Sequence, residues 1–378
     1  MRILVFGHMY TEPIHREKFQ YISRDDGFHI TVVAPHEWRH TLNNYKFTPA
    51  LENEKFEVIC RKISFSGKYF TFFYHGLSKL LKEYRPDIIE IDQEPASFAC
   101  YSIIKKAKKL RPSSKIVVWT SEDTMTKWKF PLSYFEKYNL SRIGHIIACN
   151  SEVEELLRKK GYTGKISIFQ FLGISPEIFK PQDVSALMRT LGLNDEFVIG
   201  YVGRLTEAKG IKTLFKAFAL LNDNSRLLIV GKGELLDELQ GLTEELKIKD
   251  RVILTGSVSH EGVALYLNCM NVLVLPSEGS DEWREKFGYV VPQAMLCNVP
   301  VIGSRHGGIP DVIGDSGILF EPKNAKELSQ KIKELKENNG LRHKYIEAGR
   351  KRAIENYTVE KVAGKISKVY KSLSNDRL

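Results

Sequence analysis

The stretch Phe197–Leu221, FVIGYVGRLTEAKGIKTLFKAFALL, decides the fold. Phe197–Val202 is a short, almost wholly apolar run that ends at Gly203, which suits a strand covered on both faces. After the turn Gly203–Gly210, apolar residues recur at helical spacing from Ile211 to Leu221. Strand, glycine turn and helix form the repeat unit of a parallel, doubly wound α/β sheet.

Downstream the unit recurs. Strands are expected at Arg226–Val230, Val252–Thr255, Val272–Leu275, Val299–Ile302 and Gly317–Phe320. Helices are expected at Leu235–Leu246, Val263–Leu267, Val290–Leu296 and Lys326–Glu337. Upstream the same alternation predicts strands at Arg2–Phe6, Ile30–Ala34, Phe56–Ile63, Ile88–Ile91, Ile116–Thr120, His145–Cys149 and Ile166–Ile168. Lys68–Tyr84 reads as a helix stopped by Pro86, Ala96–Leu110 as another, and Ser151–Lys160 as a third with Ser151 at its N-cap and Glu154 completing a capping box. The length of 378 residues calls for two domains. Their link lies near Leu172–Pro181, giving an N-terminal domain over residues 1–175 and a C-terminal one over 176–357. A last helix, about 358–378, is amphipathic through Val362, Ile366, Val369 and Tyr370 and is expected to pack back onto the first domain.

No apolar run reaches the ~20 residues of a membrane span, and MRILVFGH reads as a first strand rather than a signal peptide. Cys60, Cys100, Cys149, Cys269 and Cys297 are scattered, with no CxxC pair, which argues for core packing in a cytoplasmic protein. The net charge of +10 is uneven: residues 1–180 carry 28 Lys+Arg against 20 Asp+Glu. Such a field attracts an anionic substrate or an anionic membrane surface. No recognition-helix, zinc-finger or RNP pattern accompanies it, so no nucleic-acid partner is expected. There is no DxD, no HxxxH and no Cys/His cluster, so no metal is expected.

The chemistry-bearing residues cluster at strand ends. Arg204 and Lys209, flanked by Gly203 and Gly210, are two cations around one strand-to-helix turn and suit a single anion such as a diphosphate. Asp281–Gly308, DEWREKFGYVVPQAMLCNVPVIGSRHGG, sets Glu285 eight residues before Gln293 across the Phe287-Gly288 turn. A carboxylate, a glycine turn and a helix start together suit a sugar hydroxyl cluster joined to a diphosphate. Gly231, in the GKGE turn, either lets a helix approach a nucleotide or simply turns the chain. Gly256 and Val258 are placed to contact a base through backbone groups, or form a plain strand-to-helix loop. In the first half, His8 ends the first strand, and Glu94 and Glu122 lie in loops after two others.

GRLTEAKG, VGKGE, the Glu-x-Phe-Gly segment and Gly307-Gly308-Ile309-Pro310 occur in that order and resemble the family-four retaining glycosyltransferases; FGHMY, Arg85-Pro86-Asp87 and IDQEP are similar to a bacterial and archaeal polysaccharide-type subgroup. The resemblance implies a GT-B fold, two facing Rossmann-like domains with a deep cleft between them. It implies transfer of a sugar from a nucleotide-diphosphate sugar to a hydroxyl acceptor, with retention, by front-side attack and without a cofactor. It assigns Arg204 and Lys209 to the donor diphosphate, Glu285 to donor-sugar hydroxyls, and Phe287, Gly288 and Tyr289 to backbone contacts with the donor. The second Glu of the family's Glu-x7-Glu motif is Gln293 here, which retains hydrogen bonding and loses charge. The family's His after the WT-like strand is absent; Glu122 or Ser121 stands in its region, with His8 and Glu94 as further acceptor-side residues and Glu122 or Glu94 as a candidate base. The acceptor is expected to be a glycan, a lipid-linked sugar or a small molecule.

Gly67–Tyr84, rich in aromatics with Lys68, Lys79 and Lys82 beside them, and Lys105, Lys106, Lys108 and Lys109 suit either a lipid-linked acceptor at an anionic membrane or a core helix with a solvated rim. Two other functions share these features: a non-catalytic or weakly active sugar-nucleotide binder, and a sugar-nucleotide epimerase.

Overall fold

A computed structural model of the protein describes residues 1–39, 44–170, 172–280 and 283–375. Asp281 and Glu282 of the quoted loop, and the last three residues of the expected terminal helix, lie outside them. The chain divides into two compact units, residues 1–173 with the segment from Val359, and Ile174–Thr358.

In the first unit seven parallel strands lie in the order Lys165–Ile168, His145–Ala148, Lys115–Thr120, Ile88–Asp92, Arg2–Gly7, His29–Pro35, Glu57–Arg61. The register Ile3↔Ile88 and Gly7↔Asp92 on one side, and Ile3↔Ile30 on the other, places Arg2–Gly7 inside the sheet, between Ile88–Asp92 and His29–Pro35. Successive residues feed opposite faces, as the two-residue strand period requires. Leu4, Phe6, Val33, Ile89, Ile91 and Val118 enter one apolar cluster. Ile3, Val5, Val32, Ile88 and Val117 enter the other, which Val362, Ile366, Val369 and Tyr370 of the terminal helix Val359–Asn375 complete. Tyr370 also donates from its hydroxyl to buried Glu90 Oε2 at 2.7 Å, tying this helix to the sheet.

The second unit holds six parallel strands, in the order Val252–Leu254, Arg226–Val230, Val198–Val202, Val272–Leu275, Val301–Ser304, Ile318–Phe320. Each sheet has one point where the chain reverses its direction of travel across the strands. These are Arg2–Gly7 beside Ile88–Asp92 in the first, and Val198–Val202 beside Val272–Leu275 in the second. The carboxyl ends of such neighbouring strands are where α/β sheets take their ligands.

Two local expectations are corrected, and one helix goes beyond them. Lys68–Tyr84 is not one helix: Phe73–Tyr74 pairs antiparallel with Ile63–Ser64, and the helix begins only at Leu77, after Gly76 in the left-handed region. Phe72 and Tyr74 are thereby buried against Phe6 and Trp38 rather than presented along a helix face. The cap of Ser151–Lys159 is Asn150, whose side chain accepts from the Val153 amide, so Ser151 is already helical. An 18-residue helix, Asn339–Asn356, has no counterpart in the apolar pattern because only Gly349 and Ala353 of it are buried.

Candidate functional site

The switch point of the second unit gathers Glu285, Lys209 and Ser277. Ser277 follows the Val272–Leu275 strand by two residues and is fully buried. Its hydroxyl donates to Glu285 Oε2 at 3.0 Å, and the Lys209 ammonium donates to the same oxygen at 2.5 Å. Both partners of the ion pair are largely enclosed, with side chains 15% and 9% exposed. Lys209 also lies over the Trp283 ring, 4.5 Å from its centre. Glu285 Oε1 accepts no hydrogen bond among the described residues. One carboxylate oxygen is thus fixed and charge-balanced while the other keeps its lone pairs for an incoming hydroxyl.

Backbone contacts hold the surrounding loops. Ala208 O accepts from the amides of Glu278 and Gly279, both at 2.9 Å, which ties the Gly203–Gly210 turn to the segment after the neighbouring strand. Glu285 O accepts from the Gly308 amide at 2.7 Å. Gly307 lies at φ +55, and a Cβ on it would sit 2.2 Å from Glu285 O. The Gly307-Gly308 pair therefore allows the close approach that sets the Glu285 backbone. Phe287 is buried, its ring 4.9 Å from Tyr289 and 5.4 Å from Tyr357. The amides of Phe287 and Gly288 find no acceptor among the described residues, leaving two donors just ahead of the helix Val290–Leu296. Gln293, in that helix and 9% exposed, makes no side-chain hydrogen bond among the described residues.

The other donor-side residues are placed as follows. Arg204 is exposed, with no ion pair among the described residues, and its carbonyl accepts from the Tyr201 hydroxyl at 2.6 Å. Lys209 therefore meets Glu285 rather than sharing a partner with Arg204. A Cβ on Gly231 would sit 1.9 Å from Gly203 O, and Leu205 N–H donates to Lys232 O at 3.0 Å. Gly231 and Gly203 are thus needed for the packing of two adjacent loops on each other. Gly256 O accepts from the Gly231 amide at 2.8 Å, and half-buried Val258 packs on the apolar cluster that holds Phe287. Ser277 and Trp283 were invisible to motif reading; Ser277's place at the end of a strand beside the switch point was the available signal.

At the switch point of the first unit, Gln93 Nε2 donates to His8 Nδ1 at 2.5 Å, and the His8 ring packs 4.5 Å from Trp38 and 5.2 Å from Tyr69. These rings line a pocket of about 200 Å³ with Glu12, His15 and Tyr45. Glu94 accepts from the Thr120 hydroxyl and, at 3.2 Å each, from the Ser121 amide and hydroxyl. It therefore braces two strand ends. Glu122 is 2.9 Å from Lys160, which also meets Glu136 at 2.6 Å, and it accepts from Trp128 Nε1 at 3.2 Å. Burial raises the Glu122 carboxyl pKa, with Lys160 working against that rise. His8 and Gln93 meet, as do Glu94 and Ser121; Glu122 is held by a different set of partners. Among the described residues no group of three or more His, Cys, Asp or Glu is arranged to hold a metal ion.

Two Rossmann-like units, each with polar residues gathered at its switch point, define the GT-B class of fold. Solved structures match that class along the whole chain: the Anabaena protein HepE in complex with UDP superposes with a TM-score of 0.76 at 18% identity, over 98% of this chain and 100% of that one. Residues 184–352 match the model of the family Glycosyl transferases group 1. The N-acetyl-alpha-D-glucosaminyl L-malate synthase of Bacillus anthracis is 28% identical over 54% of this chain, and the chain spans about half, 53%, of that relative's length. An uncharacterized glycosyltransferase of Methanocaldococcus jannaschii is 26% identical over 96% of this chain and 94% of its own.

Proposed function

We propose that the protein is a retaining glycosyltransferase that moves a sugar from a nucleotide-diphosphate sugar to a hydroxyl acceptor. The observation that carries this reading is Glu285, held on one oxygen by Lys209 and Ser277 at a switch point, with the other oxygen unengaged. That arrangement suits a hydrogen-bond acceptor that orients a sugar. A diphosphate beside it would meet Arg204, the two remaining donors of the Lys209 ammonium, and the amides of Phe287 and Gly288. In the reaction the bond from the anomeric carbon to the diphosphate oxygen breaks as the acceptor oxygen bonds to that carbon on the same face. The acceptor proton passes to the departing phosphate oxygen. No enzymic nucleophile is needed; the protein stabilises charge and holds the reactants at near-attack distance.

His8, Glu94, Ser121 and Glu122 are assigned to the acceptor side, with Glu94 as a brace. Five cysteines with no disulfide suit a reducing compartment, so we place the protein in the cytoplasm; no described helix is long and apolar enough to cross a membrane. Gln293 in place of a carboxylate supports a second reading, a weakly active sugar-nucleotide binder. Titrating nucleoside diphosphates by thermal shift, then assaying sugar transfer and product anomer by NMR, separates the two. A retained anomer supports the proposal. Binding without transfer supports the second reading, an inverted product rejects retention, and the absence of any nucleotide-dependent shift rejects both.

A further inference from the structure

The first unit carries an exposed aromatic and basic face that the transfer chemistry does not use. Phe130 is 83% exposed, and Met125 and Tyr134 are exposed beside it in sequence. Such large apolar side chains in water are unfavourable unless something covers them. Tyr134 is the outer end of a continuous aromatic layer: it packs 5.8 Å from Tyr101, Tyr101 stacks 4.4 Å from Phe135, Phe135 lies 5.4 Å from Phe98, and Phe98 lies 5.5 Å from Phe73. Phe73 in turn meets Phe65, itself exposed, at 6.2 Å. The layer gives exposed Tyr134 and Phe65 a firm base.

The charge around it has one sign. Exposed Lys127 and Lys129 lie just ahead of Phe130 in the chain. Lys105 Nζ donates to the Tyr101 hydroxyl at 2.9 Å, and the Arg142 guanidinium lies 3.8 Å from the Tyr138 ring centre. Residues 101–150 hold ten Lys+Arg against three Asp+Glu. Two of those three acids, Glu122 and Glu136, are both engaged by Lys160. Among the described residues, no carboxylate forms an ion pair with Lys105, Lys127, Lys129 or Arg142.

We propose that this face docks on an anionic lipid bilayer, with Phe130 and its neighbours entering the interface and Lys127, Lys129, Lys105 and Arg142 meeting lipid phosphates. Aromatic side chains with cations around them match an interface that is apolar beneath and negatively charged above. The inference is independent of the transfer reaction.

Co-sedimentation with vesicles of phosphatidylcholine alone and with about one-third phosphatidylglycerol tests it. Binding should require the anionic lipid and fall as salt rises. Lys127→Glu with Lys129→Glu should weaken partitioning about tenfold or more, and Phe130→Ala about fivefold. Both variants should keep the thermal shift of the parent with nucleoside diphosphate, which separates this proposal from the donor site. Equal binding to both vesicle types, no binding, or indifference to both variants would overturn it. A concentration-dependent dimer lost on Phe130→Ala would also overturn it, assigning the face to a second copy of the chain; salt-sensitive binding of RNA in preference to vesicles would do so too.

Discussion

Lys209 and Glu285, 76 residues apart in the chain, meet at 2.5 Å across the switch point of the second sheet. The pair is largely enclosed, so neither charge is well screened by water. The carboxylate gains a fixed orientation and the ammonium a partner that keeps it aimed.

Glu285→Gln keeps the shape and removes the charge. It should lower the transfer rate about a hundredfold, because the sugar loses a charge-assisted partner. Nucleoside diphosphate affinity should change less than the rate, since Lys209 remains. Stability should fall by about 1–3 kcal/mol, the cost of leaving a partly buried ammonium unpaired. Single-turnover kinetics and urea titration read the two effects separately. A full-rate Glu285→Gln enzyme would remove Glu285 from the reaction.

Gly307→Ala tests how the loop backbone is held. The added methyl would sit 2.2 Å from Glu285 O in a left-handed conformation at φ +55. The expected loss is about 2–4 kcal/mol, together with a weaker response to nucleotide sugar. A wild-type denaturation midpoint would show that the loop relaxes freely.

Much of this architecture was legible because buried parallel strands are short apolar runs, as at Val198–Val202 and Ile88–Asp92. The motif residues also came from the sequence, since Gly203, Arg204, Lys209 and Glu285 lie at strand ends or in the loops just beyond them. What stayed hidden depended on contacts between distant segments. Nothing local to Glu285 announces Ser277, and nothing local to Gly231 announces the backbone of Gly203 against it. The helix Asn339–Asn356 lacks a wide apolar stripe, so periodicity misses it. The aromatic stretch after Gly67 misled because aromatic residues serve strands, turns and helices alike, and Gly76 broke the helical reading.

Lys160 sets its positive charge against both Glu122 and Glu136. Lys160→Met should cost about 2–4 kcal/mol, since two enclosed carboxylates then lose the cation they share. The loss should shrink at low pH, where Glu122, its carboxyl pKa raised by burial, takes up a proton. Denaturant titrations at acidic and neutral pH give the comparison; an equal loss at both would deny the electrostatic origin.

Stability of the first unit should depend on pH through Asp92 and Lys18. Burial raises the Asp92 carboxyl to about 7, and burial lowers the Lys18 ammonium to about 8, each opposed by the other's charge. A carboxyl with a raised folded pKa binds more protons folded than unfolded. Its contribution is present below its ordinary value of about 4 and is lost as pH rises through about 7. For Lys18 the contribution is present above the ordinary value of about 10.4 and is lost as pH falls through about 8. Asp92→Asn should therefore flatten the decline in stability between mildly acidic and neutral pH. An unchanged slope in that variant would assign the decline to other groups.

Gln293→Glu probes the departure from the paired-carboxylate motif of the glycosyltransferases that the sequence resembles. Residue 293 lies in the helix Val290–Leu296, 9% exposed, with no side-chain hydrogen bond among the described residues. If its amide faces the ribose of the donor, a carboxylate there accepts from both hydroxyls in charge-assisted bonds. Nucleoside diphosphate should then bind about five- to tenfold tighter, close to 1 kcal/mol. Enclosing another charge should lower the stability of the free protein by a similar amount. Calorimetric titration and thermal unfolding without ligand measure the two. Tighter binding with unchanged turnover would make Gln293 a tuner of donor affinity, whereas weaker binding would place the ribose away from residue 293.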